Sequence, residues 1–306
     1  MPRKHKHIGG IIGADPLVDG AVDANWDDVV LLLDGTSTTD KSTAGNNFTN
    51  DGADLNQAPS PDHPYAVEPG SFGVTGPNDT GAGTRKHLYS ASGAFNTLDT
   101  GAFTIEMWVK ADDLTGPRGI FCIGPFSGTA NVVFRTDDTT LEGTVDGTNN
   151  LVAHQTSLST NTWYHIALVW DGSETRVYLD GIKSTASNTS SPAWNNGLTA
   201  RIGRHYDNYD GFYWDGQITD VRITEGVARY TADFDRPTAS FPTTTTAPSS
   251  VRTGGVSTVG SLGSDGASTT RPTRRWGGIT GRSLVDTNAL PTTGVLTLAE
   301  HYQTKL

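Results

Sequence analysis

Residues 163–181 read WYHIALVWDGSETRVYLDG, two apolar runs on either side of a four-residue turn signal, Asp171-Gly172-Ser173-Glu174. That arrangement predicts a β-hairpin. In the first run Trp163, Ala167 and Val169 alternate with Tyr164, Ile166, Leu168 and Trp170. Both faces are apolar, so the strand is expected in the middle of a sandwich, covered on both sides. In the second run Val177 and Leu179 alternate with Arg176, Tyr178 and Asp180, which predicts one dry face and one wet face, nearer solvent.

Short apolar runs continue outward from the hairpin. Residues 29–33, 87–90, 103–110, 119–123, 131–135, 140–145, 151–155, 198–203 and 217–223 each read as a strand, separated by signals such as Asp34-Gly35 and Asp146-Gly147. Their spacing is that of a β-meander, and no long segment keeps a helical period. The fold class expected is all-β, a two-sheet antiparallel sandwich. Residues 57–77 contain Pro59, Pro61, Pro64, Pro69 and Pro77 and predict a surface insertion without a strand. Residues 226–230 predict a helical turn that seals one end.

Residues 1–27 read as an N-terminal arm, 28–245 as the sandwich, and 246–306 as a linker and C-terminal tail. The Pro-, Thr- and Ser-rich run from 237 to 250 (PTASFPTTTTAPSS) favours a stiff, extended chain. Beyond it the sequence is too polar and glycine-rich to bury a core of its own, so order is expected there only against a partner or another copy.

Residues 28–250 carry 13 basic and 26 acidic side chains, whereas 251–306 carry 6 and 3, so the body stands at −13 and the tail at +3. An acidic body argues against wrapping nucleic acid. No run approaches the roughly 18 apolar residues of a spanning helix, and the N-terminus makes a poor signal peptide. The single cysteine, Cys122, sits inside an apolar strand run and reads as a buried free thiol.

Four motifs in order, residues 103–109 (FTIEMWV), 163–169 (WYHIALV), 177–181 (VYLDG) and 216–223 (GQITDVRI), resemble the laminin G-like branch of the concanavalin A-like lectin and glucanase superfamily. The resemblance implies a jelly-roll sandwich whose opening strand lies close to its closing strand. The sequence Gly226-Val227-Ala228-Arg229-Tyr230, followed by Phe234, Pro237, Phe241 and Pro242, is similar to versions carried by bacteriophage virion proteins.

Hydrolases of this superfamily place paired acids two residues apart on one strand, because retaining glycoside cleavage needs two carboxyl groups about 5–5.5 Å apart. Glu106, Glu142 and Glu174 each lack such a neighbour. The better candidate is the loop 204–216, RHYDNYDGFYWDG. There Tyr206, Tyr209, Tyr213 and Trp214 interleave with Asp207, Asn208, Asp210 and Asp215, so aromatic faces could stack on a sugar while carboxylates and amides accept its hydroxyl protons. Phe212 and Trp214 equally suit a plug at the end of the sandwich. The resemblance also implies calcium held on loops near the first and last strands, with Asp34, Asp40 and Asp220 as the carboxylates in place; acids that merely cap turns are the other reading.

The function expected is a non-enzymatic structural or adhesion protein of a virion, exposed on the particle and forming a homo-oligomer. Its arms would grip other capsid or tail proteins while the sandwich meets a protein or a host-surface glycan. The alternatives are a soluble carbohydrate-binding module and, further off, a glycoside hydrolase.

Overall fold

The computed structural model describes residues 22–57, 65, 70–74, 86–124, 132–147, 150–192, 194, 197–204 and 213–243. The chain divides into two units, 1–250 and 251–306, and every described residue belongs to the first. Fifteen strands are described: β1 (Val29–Leu33), β2 (Phe48–Asp51), β3 (Asp54–Gln57), β4 (Ser71–Val74), β5 (His87–Ser90), β6 (Phe103–Ala111), β7 (Pro117–Ile123), β8 (Val132–Asp137), β9 (Thr140–Thr144), β10 (Val152–Ser157), β11 (Trp163–Trp170), β12 (Thr175–Leu179), β13 (Ile182–Lys183), β14 (Ala200–Ile202) and β15 (Gly216–Glu225). Among the described residues the only helical pieces are short 3-10 turns at Trp26–Asp28 and Leu98–Thr100.

Two antiparallel sheets form the jelly-roll sandwich. The first runs β13-β12-β11-β6-β15-β4-β3, with β1 also paired to β15, and the second runs β10-β9-β8-β7-β14-β5-β2. The hairpin behaves as its alternation requires: Ile166, Leu168 and Trp170 enter the core between the sheets, whereas Ala167 and Val169 belong to a second apolar cluster on the outer face. β15 closes the fold. One edge pairs β6, and the other is shared between β4, through residues 216–218, and β1, through 221–224. Opening and closing strands are therefore neighbours, as the resemblance implies.

Three expectations are corrected. First, the proline-rich stretch holds β4, in which Phe72 and Val74 are fully buried. A four-residue alternation between prolines is too short to stand out, yet long enough to fill the edge of β15 left open by β1. Second, residues 226–230 form no helical turn at the sandwich end. Residues 226–243 instead run as an extended strap across the outer face of the first sheet, where Tyr230 and Phe234 stack 3.6 Å apart against Tyr178. Third, the strap dries the expected wet side of β12: Tyr178 is 1% exposed and its hydroxyl donates to the Tyr230 carbonyl at 2.8 Å.

Both ends of the described body meet on this outer face. Trp26 and Phe241 pack with Val29 and Leu32, and burying such side chains contributes about 1.5–3 kcal/mol each. Trp26 and Phe241 thus pack on the body. Gly181 lets the strap approach: its φ is +81°, a Cβ there would overlap the Phe234 carbonyl, and the Phe234 amide donates to the Gly181 carbonyl at 2.9 Å. Gly181→Ala should cost roughly 2 kcal/mol in urea melts and expose residues 226–243 to protease, since it combines left-handed strain with a lost contact.

Candidate functional site

The loop proposed from the sequence is rooted on the outer face of the second sheet. Its ends, Arg204 and Tyr213, form an antiparallel bridge, and Tyr213 also bridges Gly119 at the edge of β7. The Arg204 guanidinium lies 5.1 Å from the Tyr213 ring centre, and the His87 ring lies between Tyr213 at 6.2 Å and Tyr89 at 5.9 Å. Strand alternation explains the side of the sheet. Leu88 enters the core, so His87 and Tyr89 project outward; Ala200 and Ile202 enter it, so Arg201 does the same. Register then aligns Thr49, Tyr89, Arg201 and Cys122 in one row across β2, β5, β14 and β7. Tyr89 is 36% exposed, the one exposed aromatic ring among the described residues.

Tyr206, Asp207, Asn208, Tyr209 and Asp210 lie outside the described residues. Tyr213 is largely buried at the neck. Trp214 is corrected: it is fully buried in the main core, and its indole N–H donates to the Gln217 carbonyl at 3.4 Å. Burial leaves it no face for stacking on a sugar, so the plug reading holds for this residue. Tyr89, Arg201 and His87 were not among the expected site residues. Their outward placement becomes legible only once strand pairing is known.

Of the three aspartates expected at a calcium site, Asp34 and Asp40 are taken up by donors of the turn after β1. Asp40 is fully committed to the turn after β1: Oδ1 accepts from the amides of Leu32 and Ser42, and Oδ2 from the Ser42 hydroxyl and the Asn46 amide, at 2.7–2.9 Å. Asp34 is ion-paired to Lys41 and accepts from Thr36 twice. Burial works to raise its pKa, but Lys41 and Thr36 together hold it below the ordinary value. Asp220 sits at a bulge in β15 with φ +47°, its carboxyl buried against the Tyr65 phenol. Burial first, then the nearby Asp34 charge, pushes its pKa up to about 7. Among the described residues no group of three or more His, Cys, Asp or Glu side chains is arranged to hold a metal ion.

Glu106 occupies the opposite face, beneath the strap. Arg222, its register partner on β15, donates to Oε1 from Nε at 2.9 Å and lies 2.7 Å away through Nη2. The Tyr230 hydroxyl donates to Oε2 at 2.7 Å, and His165 Nε2 lies 3.1 Å from the same oxygen. Asp23 completes the network by accepting from Arg222 and from both terminal nitrogens of Arg229, and Phe241 lies 3.7 Å over the Arg222 guanidinium. Burial works to raise the Glu106 pKa, but Arg222, His165 and Arg229 outweigh it and hold the carboxyl far below the ordinary range. Two carboxylates and two guanidiniums so buried form a structural staple.

A search of curated proteins finds no match. Among solved structures the chain is similar to domain 4 of AbnA, a GH43 extracellular arabinanase from Geobacillus stearothermophilus, at 16% identity over 65% of this chain and 93% of that one, with a TM-score of 0.47. It is also similar to botulinum neurotoxin type C, at 13% identity, 65% and 48% coverage and TM-score 0.48. A third similarity is to the sialidase of Trypanosoma rangeli, at 14% identity, 64% and 30% coverage and TM-score 0.46. The chain thus spans about half of the neurotoxin chain and under a third of the sialidase. Residues 83–229 match the family model described as Laminin_G_3, Concanavalin A-like lectin/glucanases superfamily.

Proposed function

We propose that this protein is a non-enzymatic recognition module that meets a glycan or protein surface through the loop 204–216 and the Tyr89 face of the second sheet. The observation that carries the reading is the position of the loop neck, fixed beside the exposed Tyr89 ring on one face while the strap and both ends of the body occupy the other. A rigid aromatic ring on a strand presents contact area at little entropic cost. Glu106, an acid inside one of the superfamily motifs, serves the staple and leaves that motif without a reactive carboxylate.

The setting proposed is a bacteriophage particle, with the segments beyond residues 22 and 243 fastened to capsid or tail proteins, copies associating, and the second sheet facing outward. The resemblance of residues 226–242 to versions of the domain carried by bacteriophage virion proteins supports this setting. Tyr89→Ala, and separately replacement of 205–212 by a Gly/Ser linker, should each lower binding to host cells or a glycan array at least tenfold with the melting temperature unchanged. Binding should also survive chelation of calcium. Unaltered binding in both variants would refute the assignment of this face, and absence of the protein from purified particles would refute the setting.

A further inference from the structure

Arg201 and Arg204 stand on the same outer face as Tyr89, three residues apart at the end of β14. Both guanidinium-bearing side chains are largely sheltered, at 9% and 5% exposure, within a body that is otherwise strongly acidic. The Arg201 guanidinium donates from Nη1 to the Thr199 carbonyl at 3.3 Å, and Arg204 lies against the Tyr213 ring. Directly opposed residues on antiparallel strands have Cβ atoms about 5 Å apart, which puts the Arg201 stem beside Tyr89.

We infer that the sugar recognised at this face carries a carboxylate, with its ring on Tyr89 and its acid group directed to the Arg201 and Arg204 side of the row. The inference rests on the recognition reading above and narrows its ligand. A guanidinium matches a carboxylate with two parallel donors, and a partly desolvated one does so more strongly than one in open water. Tyr89 supplies the flat apolar surface that the C–H face of a pyranose covers. The ligand acid joins the partners these guanidiniums already have. A neutral sugar gains only the stacking, so the pair of contacts selects uronic or sialic acids over neutral isosteres. The long-range field of the acidic body opposes any anion, so the selectivity must come from contact geometry, and it should persist in moderate salt.

Calorimetry on the full chain with two matched pairs provides the test: sialyllactose against lactose, and oligogalacturonate against its carboxyl-reduced counterpart. The acidic member of at least one pair should bind roughly tenfold or more tightly. Arg201→Lys, which keeps the charge but removes the fork, should shrink that ratio, and Tyr89→Ala should weaken both members of the pair. Melting curves separate lost contacts from lost folding, and the wild-type comparison needs no variant. Equal affinity within each pair would overturn the carboxylate inference and leave sugar recognition standing. Binding of an acidic peptide with no binding to any of the four sugars would overturn the sugar reading itself.

Discussion

Glu106→Ala should lose about 3–5 kcal/mol of unfolding free energy, read from urea or guanidinium melts, with residues 226–243 becoming cleavable by protease under native conditions. The size follows from what remains. Arg222 would stay buried without its main counter-charge, and the Tyr230 hydroxyl and His165 Nε2 would lose the acceptor they share. The network also has a pH signature. A carboxyl whose folded pKa is depressed contributes stability above its ordinary value, 4.5 here, and that stability drains away as the pH falls toward the folded value. The wild-type protein should therefore weaken steadily below about pH 4.5, while Glu106→Gln, already weakened, should show a flatter acid limb. An unchanged midpoint in Glu106→Ala would mean that the strap is held by apolar contact alone.

Asp220→Asn should do the opposite and stabilise the protein at and above neutral pH. The buried Asp220 carboxyl has its pKa pushed up from 3.8 to about 7, so the folded state resists its ionisation. A raised carboxyl pKa gives stability that is fully present below 3.8 and is lost as the pH climbs through 7. Three pKa units correspond to about 4 kcal/mol, the upper bound on the gain above pH 7 once the charge is gone. Asparagine tolerates the left-handed backbone at this bulge, so the exchange adds no strain. Melts of both proteins at pH 5 and pH 8 should show a gap that is wide at pH 8 and narrows at pH 5. A gap independent of pH would assign the effect to packing rather than to ionisation.

Fold class, the central hairpin and the pairing of first and last strands were legible because each rests on local alternation or on a motif. β4 was not: its four residues carry too little period, and its place depends on a vacancy beside β15 that only the assembled sheet displays. The staple was half legible. Glu106 and Arg222 stand inside the motifs FTIEMWV and GQITDVRI, whose spacing does not say which residues oppose each other. Only the register that sets one opposite the other shows them to be partners. The same gap separates the expected recognition site from the one proposed above. Trp214, chosen for its ring, is core, whereas Tyr89, in an unremarkable strand, carries the exposed face.

The meeting of Trp26 with Phe241 also bears on how the domain can be joined to other polypeptides. An element whose points of entry and departure lie side by side can be spliced into a surface turn of an unrelated protein without prising that turn apart. For the same reason a circular permutant, with these two points bridged by a short linker and new termini cut in the exposed Gly172 turn, should retain its native architecture.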